Sequence, residues 1–359
     1  MKKISIINKN KYKNIRKRKL IMNKENKVIN NDENKNILEQ TLKDIEKRFG
    51  KGSIMRLNSE KINKLEVIPT GSLALDIALE IGGFPKGRVV EIFGPESSGK
   101  TTLTLHAVAE AQKKGGYVAF IDLENALDAQ YAKKIGVDIN NFIISQPDSA
   151  EKALDIVEML IKSRSVSLIV LDSVAALTPE AELRGESGDS HMGLHARIMG
   201  QAMRKQSTII SKNNTTVIYV NQLREKVGNI YGSSETTPGG KALKYFASLR
   251  LDIRRTEYIK DNNNNILGIK SNVKVVKSKV SSPFKKATLE IIYNQGISRQ
   301  GEILDLAVEL DLIQKSGTWY NYKNKPIGQG KEKVKEFLEQ NPNIAKDLEM
   351  KIKQKHNLS

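Results

Sequence analysis

The sequence predicts an α/β protein built on a mainly parallel sheet covered by helices on both faces. Two observations carry that prediction. Between residues 70 and 256, short apolar runs alternate with helical patterns, the form that strands and helices take when they follow one another in turn. One of these strand-to-helix turns holds Gly94-Pro95-Glu96-Ser97-Ser98-Gly99-Lys100-Thr101-Thr102. It matches G-x-x-x-x-G-K-[ST], the phosphate-binding loop, with a strand before it and a helix after it. In such a sheet the nucleotide lies outside the carboxyl ends of the strands.

Residues 1–30 carry nine Lys and two Arg against one Glu, a charge of +10 out of a total of +18. With little apolar periodicity they read as a disordered basic extension. No apolar stretch there is long enough for a secretory signal. From Asn36 the pattern changes: Leu38, Leu42, Ile45 and Phe49 recur on one stripe of a helix that Gly50 stops. Lys51–Pro69 separates this helix from the core. The runs Val89–Phe93, Tyr117–Asp122, Phe142–Ser145, Leu168–Asp172 and Thr216–Asn221 read as buried strands. Segments 99–114, 128–135, 149–162 and 191–212 read as helices. Thr178–Ser190 and residues 222–240 are irregular, and loops of that length inside a compact domain usually serve function. Asp261–Asn265 is a turn between β segments. After Gly296 the chain reads as a small separate unit, mostly helical, with one aromatic patch at Trp319, Tyr320 and Tyr322.

The chain contains no cysteine, which excludes disulfides and thiol catalysis and is compatible with a cytoplasmic location. No apolar stretch reaches the length of a membrane span. The basic balance suits a polyanionic partner but also a lysine-rich solvated surface.

The phosphate-binding loop sets the chemistry. Its glycines let successive N–H groups turn inward on a phosphate, and the following helix adds its positive end. Lys100 would reach the β- and γ-phosphates of a nucleoside triphosphate, and the Thr101 hydroxyl would hold Mg²⁺. Leu168–Asp172 has the form of a Walker B strand, whose Asp172 can orient the ion; a strand-terminal Asp also often caps the next helix. Glu124, just past a strand, can deprotonate an attacking water or simply favour a helix end. Gln222, uncharged and placed before the long loop, can sense the γ-phosphate. Arg197, Gln201 and Arg204 form one stripe of a helix, suited to a nucleic-acid backbone or to solvent. Ile230 and Tyr231 can insert between bases.

The segments GPESSGKTT (94–102), FIDLENALD (120–128), LIVLDSVAALTP (168–179), GDSHMGLHAR (188–197), QAMRK (201–205), NQLREKVG (221–228), ETTPGGKALK (235–244) and VKVVKSKV (273–280) together resemble the RecA family of bacterial DNA recombinases. The resemblance implies a RecA-type P-loop ATPase core at 70–296, an N-terminal polymerisation helix and linker at 32–69, a small α+β C-terminal domain at 297–359, and an extension at 1–31 without a family counterpart. It implies a filament on single-stranded DNA, with ATP between protomers, that pairs homologous duplex and exchanges strands. It also implies that the filament promotes self-cleavage of LexA-type repressors in the SOS response. By the same resemblance Glu124 activates water, Asp172 is the Walker B acid, Gln222 is the γ-phosphate switch, and Asp128 with Tyr131 contacts adenine. Lys277 and Lys279 would reach the ATP of the adjacent protomer. Arg197, Arg204 and loops at about 185–192 and 223–237, with Arg224, Lys226, Ile230 and Tyr231, would line the DNA. Ser278 stands where the family usually has Asn. The basic ending KIKQKHNLS replaces the acidic tail of many members, which leads us to expect duplex uptake at lower Mg²⁺. A non-catalytic scaffold for repressor cleavage, and a hexameric helicase or circadian-type ATPase on the same core, are the alternatives; the three acid and lysine positions and the DNA-loop motifs weigh against them.

Overall fold

The computed structural model describes residues 33–54, 56, 65–185, 193–225, 235–261 and 263–358. The chain divides into two units, 1–64 and 65–359. In the first, helix α1 covers 33–49, several residues earlier than its apolar stripe begins. Leu38 and Phe49 on that stripe are exposed, as is Ile37 beside it.

The second unit opens with β1 (Val67–Ile68), α2 (Leu73–Ala78), β2 (Phe84–Pro85) and β3 (Val89–Gly94). The nucleotide-binding half continues through α3 (Lys100–Lys113), β4 (Tyr117–Asp122), α4 (Ala129–Ile135), β5 (Phe142–Ser145), α5 (Ala150–Lys162) and β6 (Val166–Asp172). Then come α6 (Glu180–Arg184), α7 (Leu194–Asn213), β7 (Thr216–Gln222), β8 (Arg224–Glu225), β9 (Glu235–Thr236) and α8 (Ala242–Phe246). Long strands β10 (Leu249–Lys260), β11 (Ile266–Ser278) and β12 (Lys286–Ile292), with short β13 (Gly296–Ile297), complete the sheet.

Nine strands run in the order β13-β12-β11-β10-β3-β7-β6-β4-β5. Pairing is parallel from β10 through β5 and antiparallel from β10 to β13. The central strands are apolar on both sides because both faces are covered. Val118, Phe120, Leu168, Val170, Ile218 and Val220 pack with Leu103, Leu105 and Val108 of α3 on one face. Ala119, Ile121, Ile169, Leu171, Val217 and Tyr219 pack with α5 and α7 on the other. Helix α5 shows how sequence sets this: Ser149 caps its start by accepting from the Lys152 N–H, and Ala150, Ala153, Leu154, Val157 and Ile161 form the buried stripe.

A carboxyl side chain lies deep inside this sheet. Glu91, in the middle of β3, is fully buried. It accepts from Arg250 Nε on β10 at 2.5 Å and from Asn221 Nδ2 on β7 at 3.1 Å. The Arg250 guanidinium also stacks over the Phe93 ring, 4.6 Å from its centre.

The C-terminal part holds α9 (Arg299–Glu309), a three-stranded antiparallel sheet of β14 (Gln314–Ser316), β15 (Trp319–Tyr322) and β16 (Lys325–Gln329), then α10 (Lys331–Gln340) and α11 (Pro342–Lys355). The aromatic patch is therefore a strand inside a segment that otherwise reads as helical. Tyr320 and Tyr322 alternate inward from that strand, whereas Trp319 stays half exposed.

Glu302 of α9 joins this part to the core. It is buried, accepts from the Leu73 N–H at 2.7 Å and from the Ser72 hydroxyl, and lies near Arg299. Burial pushes its carboxyl up to about 7, and does the same to neighbouring Asp76. A carboxyl whose folded pKa is raised stabilises the fold below its unfolded pKa, and that contribution is lost as pH rises through the folded value. Glu302→Gln should therefore gain melting temperature relative to wild type between about pH 5 and about pH 8, followed by calorimetry. A difference that stays constant across that range would contradict the protonated carboxyl.

Candidate active site

The site lies where the carboxyl ends of β3, β7, β6 and β4 come together. The turn after β3 is forced by glycine at both ends. A Cβ on Gly94 would strike the Ile253 carbonyl oxygen, and Gly99 has a φ of +95° with Ile291 pressed against the place a Cβ would take. Gly99 is also the N-cap of α3 and puts no side chain over its first turn, so that helix end is open to an anion. Ser98 Oγ is buried there and has no partner among the described residues. Lys100 Nζ donates to the carbonyls of Gly94 at 3.1 Å and Pro95 at 2.7 Å. Burial pushes its ammonium below the usual lysine range, against the opposing pull of Asp172, Glu124 and Glu96.

Thr101 Oγ1 donates to Asp172 Oδ2 at 2.6 Å. Asp172 ends β6, and the Asp172–Ser173 peptide is cis. Burial pushes the Asp172 carboxyl up to about 6, helped by the Glu124 charge and opposed by the Thr101 hydrogen bond and Lys100. Glu124 stands in the turn after β4. Asp122, the last residue of that strand, accepts from the N–H groups of Ala126 and Leu127 at 3.4 and 3.3 Å and from Gln146 Nε2 at 3.0 Å, which fixes the turn. Gln222 ends β7 directly opposite Gly94. Its Nε2 donates to Glu124 Oε1 at 3.0 Å, and Ser173 Oγ donates to the same oxygen at 2.6 Å.

Asp128 caps α4 by accepting from Gln130 N and Tyr131 N at 2.8 and 3.1 Å. The Tyr131 hydroxyl meets Thr102 Oγ1 at 3.0 Å, beside the start of α3. Lys277 and Lys279 lie apart from these groups within the protomer. Lys277 Nζ donates to the carbonyls of Lys244 and Tyr245 at 2.6 and 2.9 Å, and Lys279 Nζ to Tyr245 at 3.3 Å, all near the end of α8. Arg197 and Arg204 are exposed on α7, and Arg224 is exposed just past Gln222. Lys226, Ile230 and Tyr231, most of the 185–192 loop and the basic residues 1–30 lie outside the described residues. Ser173 and Asp122 were not singled out by sequence reasoning. The available signal for Ser173 was a hydroxyl directly following a strand-terminal acid.

A phosphate loop, a strand-end acid on the loop threonine and a carboxylate facing both define a P-loop ATPase with a parallel-sheet core. Comparison with known families and proteins narrows this. The RecA N-terminal domain family matches residues 36–298, and the RecA C-terminal domain family matches 301–357. The chain is 66% identical to Protein RecA of Phytoplasma mali over 322 residues, covering 89% of this chain and 95% of that protein. It is 60% identical to Protein RecA of Acholeplasma laidlawii over 316 residues, covering 88% and 95%. It is 58% identical to Protein RecA of Streptomyces coelicolor over 318 residues, covering 89% and 85%. The chain belongs to the RecA family and is a DNA-dependent ATPase of recombination and repair, which binds DNA and self-associates. Among the described residues, no helix is long and apolar enough to cross a membrane.

Proposed function

We propose that this chain assembles as a helical filament on single-stranded DNA, pairs that strand with homologous duplex and exchanges strands in the cytoplasm. The chain is read as an extension at 1–31, an oligomerisation helix and linker at 32–69, an ATPase core with DNA-binding loops at 70–296, and a C-terminal domain at 297–359. The exposed Leu38 and Phe49 of α1 suit docking on a second copy. The observation that carries the reading is the hydrogen-bonded line Thr101–Asp172, Ser173–Glu124–Gln222. It leads from the phosphate loop to Gln222 at the end of β7, where the long loop begins, so nucleotide state and DNA contact would share one set of side chains.

The loop fits a triphosphate because its helix end is open and Ser98 Oγ is buried with no partner among the described residues. Residues 94–102 would cradle the phosphates of ATP, with Lys100 turning from its loop carbonyls to the β- and γ-oxygens. Thr101 and Asp172 would hold Mg²⁺, which when bound neutralises charge on the phosphates. Glu124 would take a proton from water, and Gln222 would leave Glu124 for the γ-phosphate. Asp128 and Tyr131 would border the adenine, and Lys277 and Lys279 would complete a neighbour's site. Arg197, Arg204 and Arg224, with Lys226, Ile230 and Tyr231, would line the DNA. Contacts to the backbone carry no sequence information, so homology would be read by base pairing. The assembled filament would also promote self-cleavage of a LexA-type repressor.

ATP turnover with and without single-stranded DNA, followed by exchange on homologous and non-homologous duplex, tests this. Turnover that DNA stimulates without any exchange on the homologous duplex would reject it.

A further inference from the structure

Ser173 has the right side chain to cap the turn Val174–Ala176 that follows it, yet it makes no side-chain cap there. Its hydroxyl is fully buried and points across to Glu124 instead. The contact, 2.6 Å, falls on Oε1, the oxygen that also receives the Gln222 amide. Among the described residues no donor meets Glu124 Oε2. A carboxylate oxygen that accepts from two donors has its lone-pair sites occupied, whereas its neighbour keeps both sites to accept a proton.

We infer that Ser173 is a positioning residue for ATP hydrolysis, holding Glu124 by Oε1 so that Oε2 faces the attacking water. This rests on the reading of Glu124 as the group that activates water. The two donors on Oε1 do not have equal standing. Gln222 ends a strand and leads directly into the long loop, and in the reading above its amide moves to the γ-phosphate. Ser173 sits between the end of β6 and a short turn, where Ala176 N–H closes back on its carbonyl at 3.1 Å. It therefore stays in place when Gln222 leaves. Ser173 is then the donor that fixes the Glu124 rotamer during turnover, and Gln222 the one that is released. Because Ser173 directly follows Asp172, the hydroxyl moves with the strand end that meets Thr101. The base and the loop threonine are thus registered to a single backbone segment.

The test compares Ser173→Ala, Ser173→Thr and Glu124→Gln by steady-state turnover with single-stranded DNA, binding of a fluorescent non-hydrolysable ATP analogue, and thermal melting. Removing a hydrogen bond to a charged group should lower kcat of Ser173→Ala roughly 10- to 100-fold. The KM for ATP and the analogue affinity should stay within about twofold of wild type. Ser173→Thr, which keeps the hydroxyl, should recover most of the rate. Ser173→Ala turnover within about twofold of wild type would overturn the inference. So would a loss of kcat matched by an equal loss of analogue affinity, or a folded, analogue-binding Ser173→Thr as slow as the alanine variant. Glu124→Gln separates the two levels: if it turns over like wild type, the reading of Glu124 fails; if it is inactive while Ser173→Ala is not, only the role of Ser173 fails.

Discussion

Replacing Glu124 by Gln is expected to lower DNA-stimulated kcat by about 10²- to 10⁴-fold, the range for losing a positioned general base. The substitution keeps shape and one acceptor oxygen, so Ser173 and Gln222 retain a partner for their donors. The phosphate loop loses no hydrogen bond of Lys100 or Thr101, which bond to Gly94, Pro95 and Asp172 rather than to Glu124. Nucleotide affinity should therefore change by less than about threefold, and the loss should fall on kcat alone. A coupled turnover assay beside an equilibrium titration with a fluorescent analogue measures both. Equal losses in affinity and rate would mean that Glu124 shapes the pocket and takes no part in the proton transfer.

The second large effect is structural. Gly94→Ala should destabilise the fold by about 3 kcal/mol or more, because the added methyl meets backbone that cannot rotate away. The obstruction is the carbonyl oxygen of Ile253 on β10, a strand held in parallel register with β3 through Leu249–Asp252. Relief would require the two strands to separate where the phosphate loop begins. Gly115→Ala is the matched control. It has a φ of +77° and open space around the new methyl, so only the left-handed backbone is penalised, at about 1 kcal/mol. Denaturant unfolding of both variants checks the pair. If Gly94→Ala costs no more than Gly115→Ala, β10 yields more easily than a paired strand should.

Much of this architecture was readable in the sequence, for identifiable reasons. Runs such as Leu168–Asp172 and Thr216–Asn221 are apolar on consecutive positions because their strands are covered on both faces, and this distinguishes them from amphipathic segments. Lys100, Thr101, Asp172, Glu124 and Gln222 could be proposed from sequence because each sits in the phosphate-loop pattern or at or just past a strand end, places that local sequence marks. Ser173 was not visible, since its role depends on β4 lying beside β6 and bringing Glu124 within reach. The small sheet β14–β16 was hidden in the same way. Its strands have 3 to 5 residues and gain their place from packing against α9–α11 rather than from local preference. Asp128 shows the opposite limit: the cap on α4 is evident in the structure, whereas an adenine contact is a matter of resemblance.

Glu91, Arg250 and Asn221 make the middle of the sheet resistant to gradual change. Taking away the arginine alone would leave a carboxylate sealed in the interior, a loss of about 3–5 kcal/mol, while exchanging the whole group for well-packed apolar side chains is often close to neutral. Asn221 adds a further tie, since its Nδ2 also donates to the carbonyl of Pro238, within the 222–240 stretch, at 3.2 Å. Three positions separated by 130 and 159 residues along the chain must therefore be inherited together. A descendant that drifts at one of them passes through a weakened intermediate before reaching any stable alternative.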